Sequence, residues 1–335
     1  MSLSRPVKFP LLKLPYLCID SVVKRCDIFD IIFLTLISKK TRRIVKSFKI
    51  PLNFQVYLTF WQIRLGNTNR NWIFKHVSCF VEHNYSRLKD NCFVLQNNPI
   101  PLNISRTNDA LMSYTHGNTM NAIKMAMEFL KEMFKCSVDR VDINGDNLPE
   151  SGDIGVKSTV NLNIYSDIYY AKSQKLNSLL ESLEVTGTCY FRVLNPEKGF
   201  YVDPKLFKSK KLMFFPGSAA WVTREILLQL EVPRLYFCNC PFSVEDIVSF
   251  VTNWYHSDNQ KFEYLYIGCQ YKHISLEQFR HLNPSPFSDS NRVPLVKSFR
   301  DIDFSKELEI IRHDGSQATI YINRWVFLFY IWHNQ

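Results

Sequence analysis

The sequence predicts a chain of mixed α+β and α/β character, with a three-helix module at its N-terminus and a larger sheet after it. Three observations predict this. The segment from Phe9 to Phe48 has 22 apolar residues in 40 and no glycine. Apolar residues then alternate from Leu52 to Phe60, and from Asn118 onward helix-like runs are followed by strand-like ones. The 335 residues, 46% hydrophobic with only 10 glycines, suffice for a small helical module plus one larger core.

Within the first module, Ile19, Val22, Val23 and Cys26 recur at helical spacing, as do Phe29, Ile32, Phe33, Leu36 and Ile37. Ile28, Ile31 and Leu34 add apolar surface on other faces of the second run, so this helix is expected to be covered on nearly all sides. A segment this short cannot bury so much of itself, and its cover must come from the rest of the chain or from another protein. Pro15 suits the first turn of a helix, with Leu14 before it as a staple. Asp27 can cap the second helix, with Asp30 in its first turn, and Ser38 can cap the third. These limits define a module over 9–50.

Pro51 ends the helical pattern. Leu52, Phe54, Val56, Leu58 and Phe60 read as a strand continued by Trp61 and Ile63, with further strands at Trp72–Phe80 and near Cys92–Leu95. Asn97–Gly117 is polar and interrupted and reads as a loop, so 51–117 is expected to be a strand-rich connecting region. From 118 to 335 the rhythm changes. A helix over Thr119–Phe134 precedes a strand at Val138–Ile143. Leu176–Leu183 leads to Val185, Val222–Leu230 to Leu235–Phe237, and Ser243–Trp254 to Tyr264–Ile267. Strands linked through helices lie parallel, which predicts a leucine-rich-repeat-like curved sheet of helix–strand units. Asp314–Gly315 between Leu308–Arg312 and Ala318–Ile322 predicts a C-terminal β-hairpin, with Val326–Trp332 as a third strand. The prolines and serines of Asn283–Pro294 mark a connector.

Leu14-Pro15, Ile19, Val22, Val23, Cys26-Asp27, Ile31, Leu34, Ile37-Ser38-Lys39-Lys40 and Ile44 resemble an F-box, in register and without a gap. The chain departs from the common pattern at Tyr16, where an acidic residue often stands, and at Thr41, where a bulky aromatic does. The resemblance implies docking on the linker subunit of an SCF ubiquitin ligase, the S-phase kinase-associated protein, and through it on cullin. The residues it implies for that contact are Leu14, Pro15, Ile19, Val22, Val23, Ile37 and Ser38. Further on, Leu235, Phe237, Cys240, Ser243, Asp246, Ile247, Phe250, Trp254, Leu265 and Ile267, then Asp314-Gly315, Ala318, Ile320, Phe327 and Trp332, resemble the type 2 F-box-associated domain of a large nematode group. Membership implies a substrate-recognition adaptor that binds a target protein through 118–335 and has no catalytic residues of its own.

Motifs for chemistry are sparse. Gly145-Asp146 and Gly152-Asp153-Ile154-Gly155 lack the lysine of a phosphate loop and the glycine spacing of a dinucleotide fold. Cys238-Asn239-Cys240 has no second pair to complete a metal site, and Gly217-Ser218-Ala219 is not a nucleophile elbow. No cofactor or metal is expected. The nine cysteines include no C-x-x-C pair and fit reduced core thiols, which predicts a cytoplasmic or nuclear protein. The longest wholly apolar run, Trp325–Trp332, is far short of the roughly 20 residues of a membrane helix, so no membrane contact is expected. The net charge of +10 offers the alternative of a basic nucleic-acid-binding protein without a ligase role. Against it, the aromatic residues lie in strand patterns suited to packing. The charge is better suited to acidic or phosphorylated segments of a target, for which Lys205, Lys208, Lys210 and Lys211 are the candidates.

Overall fold

Pro15 caps the first helix of the computed structural model, where its missing N–H leaves no hydrogen bond unmade, and α1 runs over Tyr16–Val23. The structure describes residues 13–66, 69–76, 93–95, 102–107, 109–115, 118–145, 148–149, 151–166, 171–194, 196–268, 274–287 and 292–333. It divides into two compact units, Met1–Asp139 and Arg140–Gln335.

In the first unit, α2 (Ile28–Ile37) and α3 (Lys39–Ser47) follow α1. Both caps expected from sequence form. Asp27 accepts the Phe29 N–H at 2.9 Å, and Ser38 and Thr41 exchange side-chain and backbone bonds at 3.1 and 3.2 Å as a capping box. The strands are β1 (Pro51–Tyr57), β2 (Gln62–Leu65), β3 (Arg70–His76), β4 (Phe93–Leu95), β5 (Leu102–Arg106) and β6 (Ala110–Thr115). They lie in the order β1-β2-β3-β6-β5-β4, antiparallel except for the parallel pair β3–β6.

Two expectations change here. Trp61 does not prolong β1, because its backbone turns left-handed at φ 50° and the chain reverses into β2. Asn97–Gly117 is not a loop throughout, since it holds β5 and β6. The polar residues Ser113 and Thr115 disguised β6, yet both are buried, and Ser113 accepts the Trp72 indole N–H at 2.9 Å. Residues 77–80 of the expected second strand lie outside the described residues. Helix α4 (Thr119–Met133) then starts at an Asn118 cap and buries Ile123, Met127 and Leu130 as its spacing predicts.

Strand β7 (Lys135–Asn144) begins in the first unit and ends in the second. Unit two continues with β8 (Ser158–Ser166), α5 (Ser173–Ser182), β9 (Glu184–Val193) and β10 (Lys211–Phe214). Next come α6 (Arg224–Gln229), β11 (Arg234–Phe237), α7 (Val244–His256) and β12 (Tyr264–Gly268). From β7 to β12 the strands are parallel and neighbour one another in chain order. The helix–strand rhythm is less regular than expected. β8 and β10 escaped the sequence because one alternates with asparagines and the other has four residues. A 3-10 turn at Pro204–Leu206 stands between β9 and β10.

One row of side chains crosses the parallel strands β7 to β12 in register: Ile143, Ile164, Phe191, Phe214, Phe237 and Ile267, all buried. Phe214 stacks on Phe237 at 4.8 Å. The sheet closes with β13 (Ser285–Pro286), β14 (Leu308–Ile311), β15 (Gln317–Ile322) and β16 (Val326–Trp332), and β16 pairs antiparallel with β12. Gly315, at φ 85°, makes the expected hairpin turn. The expected connector contributes the short strand β13 because it pairs with β14.

Arg312 is sealed in this hairpin. It donates to both Asp314 oxygens at 2.9 and 2.6 Å and to the Asn259 carbonyl at 3.0 Å, and its guanidinium lies 4.8 Å from the Trp254 ring. The Arg312 hydrogen bonds, with those of Ser316, hold the Asp314 carboxyl well below the usual carboxylate range. A depressed carboxylate contributes stability above its unfolded pKa, and that contribution fades as pH falls. Asp314→Asn is therefore expected to lower the denaturant midpoint at neutral pH and to flatten its decline below about pH 4, near the unperturbed aspartate pKa. Arg312→Met combined with Asp314→Asn should be milder than Asp314→Asn alone, because no buried charge is left uncompensated. Gly152, at φ 67°, offers a second test. A Cβ there would stand 2.4 Å from the Ser178 backbone in α5, so Gly152→Ala should cost about 2 kcal/mol or more in chemical denaturation.

Candidate functional site: an apolar helical surface and a basic sheet

The first candidate surface is what the helical module leaves uncovered. Helix α2 spends its apolar excess inside its own unit: Phe29, Ile31 and Ile32 are buried. Arg70 on β3 reaches Asp27 at 3.1 Å, Arg106 on β5 pairs with Asp30, and both guanidinium groups lie over the Phe29 ring, at 5.2 and 5.8 Å. On α3, Arg42 pairs with Glu132 of α4 at 2.6 Å and covers Phe129. The cover that the sequence left open between chain and partner is thus supplied largely by the chain for α2.

Helix α1 and the end of α2 are different. Pro15, Tyr16, Leu17, Cys18, Val22, Ile37 and Ser38 are exposed, Leu17 by 75% and Ile37 by 61%, while Leu14 is half-buried. Of the seven residues expected at the linker, Ile19 and Val23 face the core at 5% and 1% exposure. Leu17 was missed. It stands out of phase with the Ile19–Val23 stripe, and that mismatch on a short helix was the available signal. Both departures from the F-box pattern have local roles: the Tyr16 hydroxyl bonds Ser47 at 3.0 Å with its ring 5.1 Å from Phe48, and Thr41 completes the cap of α3.

The four candidate lysines do not form one cluster. Lys208 and Lys210 line a cleft of about 580 Å³ together with Lys157, Glu181 and Glu184. Lys205 is exposed at the Pro204–Leu206 turn. Lys211 starts β10 and sits 5.2 Å from the Tyr236 ring, and burial together with neighbouring Arg234 pushes its pKa down.

Residues with possible chemistry are engaged in packing. Ser218 is fully buried and donates to the Phe191 carbonyl at 2.8 Å. Burial pushes the Cys136 thiol up to about 11 and the Cys189 thiol up to about 12, away from the nucleophilic thiolate. Cys269 lies outside the described residues. Asn239, at φ 50°, turns the chain between half-buried Cys238 and buried Cys240. No group of three metal-ligating side chains occurs among the described residues, and no helix among them is long and apolar enough to cross a membrane.

Residues 11–53 match the F-box domain family, and residues 205–267 match the family described as F-box associated. The chain carries an F-box and an F-box-associated domain. The F-box match spans α1 to α3, and the F-box-associated match spans β10 to β12 with α6 and α7. An uncharacterised protein of Caenorhabditis elegans is 31% identical over 117 residues, which is 33% of this chain and 26% of that relative. The match thus takes in about a quarter of the relative's length. It agrees with the nematode F-box group that the sequence resembles. No solved structure matches the chain.

The division of the F-box into core and surface is measurable. Ile19→Ala should cost about 3 kcal/mol in chemical denaturation, whereas Ile37→Ala should stay within about 0.5 kcal/mol of the parent.

Proposed function

We propose that the protein is a substrate-recognition adaptor of an SCF-type ubiquitin ligase. Its F-box docks on the linker subunit and through it on cullin, and the chain from 118 to 335 binds a target protein, with 51–117 joining the two. The observation that carries this reading is the exposure of Leu17, Val22 and Ile37 within a segment that matches the F-box family. Apolar side chains grouped on so small a module mark a surface that association would cover. Contact runs through Leu14, Pro15, Val22, Ile37 and Ser38, joined by Leu17, while Ile19 and Val23 hold α1 in place from beneath.

On the target side, β7 to β12 run parallel in chain order, which supports a leucine-rich-repeat-like sheet as the receptor surface. Lys211 on the sheet, with Lys205, Lys208 and Lys210 on the turn and cleft that precede β10, supplies positive charge suited to acidic or phosphorylated segments. The protein then acts by position. Holding a target lysine beside a loaded conjugating enzyme raises its effective concentration, and no residue of this chain enters bond making.

Co-purification with the linker subunit tests the reading. The parent chain should retain the linker, and both Leu14→Ala with Pro15→Ala and the single variant Ile37→Asp should lose most of it with unchanged thermal midpoints. Absence of linker from the parent preparation would refute the proposal. Steeply salt-sensitive retention on nucleic acid without linker binding would replace it with the nucleic-acid reading.

A further inference from the structure

The sheet of the second unit has a face opposite its phenylalanine row, and that face is also laid out in register. One row runs Asn163, Tyr190, Met213, Tyr236 and Tyr266, and beside it runs Thr188, Lys211, Arg234 and Tyr264. The C-terminal end of the face is roofed. Phe299 sets its ring edge-on to Tyr264 at 5.0 Å and lies parallel to Tyr266 at 6.2 Å, in a cluster with Phe304, Leu328 and Tyr330. Among the described residues the roof stops there. Tyr266 stacks on Tyr236 at 4.1 Å with the rings 3° from parallel, and Tyr190, Met213 and Tyr236 stay half-exposed.

Two cations stand side by side on this floor, and their situations differ. The Arg234 guanidinium is held by Glu263 at 2.6 Å. Lys211 is half-buried and forms no ion pair among the described residues; its ammonium rests over the Tyr236 ring. A cation–π contact does not replace the water that a partly desolvated ammonium has lost, and Arg234 beside it adds repulsion. The lowered Lys211 pKa has these same two causes. An arriving anion would relieve both.

We infer that the open part of these rows seats an extended acidic segment of the target protein, a carboxylate meeting Lys211 and an adjoining aromatic or aliphatic side chain packing against the half-exposed edges of the stacked Tyr236 and Tyr266 rings. The inference rests on the adaptor reading and gives its target a chemical class. A carboxylate fits better than a phosphate, because a dianion is ordinarily clamped by several free guanidinium or ammonium groups, and Arg234 is already engaged by Glu263. It also separates Lys211 from Lys205, Lys208 and Lys210, which lie outside these rows.

The probe is a random glutamate–tyrosine copolymer titrated onto the full chain, with a lysine–tyrosine copolymer as the control and tyrosine fluorescence and anisotropy as readouts. Binding of the acidic copolymer alone is expected, weakened about tenfold by Lys211→Gln and by Tyr236→Ala and little changed by the triple variant Lys205→Gln, Lys208→Gln, Lys210→Gln. Lys211→Gln should also keep or raise the thermal midpoint, since it removes a desolvated charge, so weaker binding would not reflect unfolding. The inference is overturned if the acidic copolymer does not bind, if Lys211→Gln binds like the parent, if the triple variant alone loses binding, or if only a phosphotyrosine peptide binds. Linker co-purification, run on the same variants, reports on the adaptor reading separately: loss of the linker with copolymer binding intact would remove the ligase role and leave the peptide site.

Discussion

Phe29 lies under two guanidinium groups, and the division of the F-box into a buried helix and a presented one depends on that arrangement. Burial of Phe29, Ile31 and Ile32 contributes about 2 kcal/mol for each side chain. The Asp27–Arg70 and Asp30–Arg106 pairs, both partly exposed, contribute well under about 1 kcal/mol each. Apolar burial therefore drives the docking of α2, and the ion pairs fix its direction. Asp27 has a double duty, since the carboxylate that caps α2 also receives Arg70. With α2 held this way by its own unit, the large apolar residues of the described helical module that remain exposed are those of α1 and the tip of α2, where the family match and the exposure coincide.

In the second unit the controlling constraint is strand parity. The phenylalanine row and the tyrosine–lysine face use alternate positions of the same strands, so Phe237 in the core requires Tyr236 on the opposite side, and Phe214 does the same for Met213. A slip of one residue in β9, β10 or β11 would bring a tyrosine or lysine into the core and strand a phenylalanine outside it. The cost of that exchange locks the register. It also lines up Lys211 with Arg234 and Tyr236 with Tyr266, so the composition of the open face follows from the packing of the closed one.

Local chemistry was readable from the residues. Asp27 and Ser38 announced two helix starts, Asp314–Gly315 a hairpin, and the spacing of Ile123, Met127 and Leu130 a helix. What depended on distant pairing was not readable. β6 looked like a loop because Ser113 becomes acceptable in the interior only when Trp72, 41 residues earlier, donates to it. β10 is four residues long and owes its existence to β9 and β11 on its flanks. At the site, Pro15, Val22 and Ile37 were identifiable as F-box positions, but the exposure of Leu17 and the burial of Ile19 depended on how α1 is rotated. The lysines illustrate the same limit: four nearby in sequence distribute among a turn, a cleft and a sheet face, because β10 begins only at Lys211 and leaves Lys205, Lys208 and Lys210 before it.

The position of α1 is itself built in. Tyr16, which stands where many F-boxes carry an acid, uses its ring against Phe48 and its hydroxyl on Ser47, tying the start of α1 to the end of α3. Ile19 and Val23 anchor the other side of the same helix. An eight-residue helix has little stability by itself, so these three attachments, rather than propensity, keep α1 ordered. A surface ordered before contact loses less conformational entropy on association. The residue that departs from the family pattern therefore does not weaken the case for a docking surface, because it helps hold Leu17 and Val22 in the orientation in which a partner would meet them.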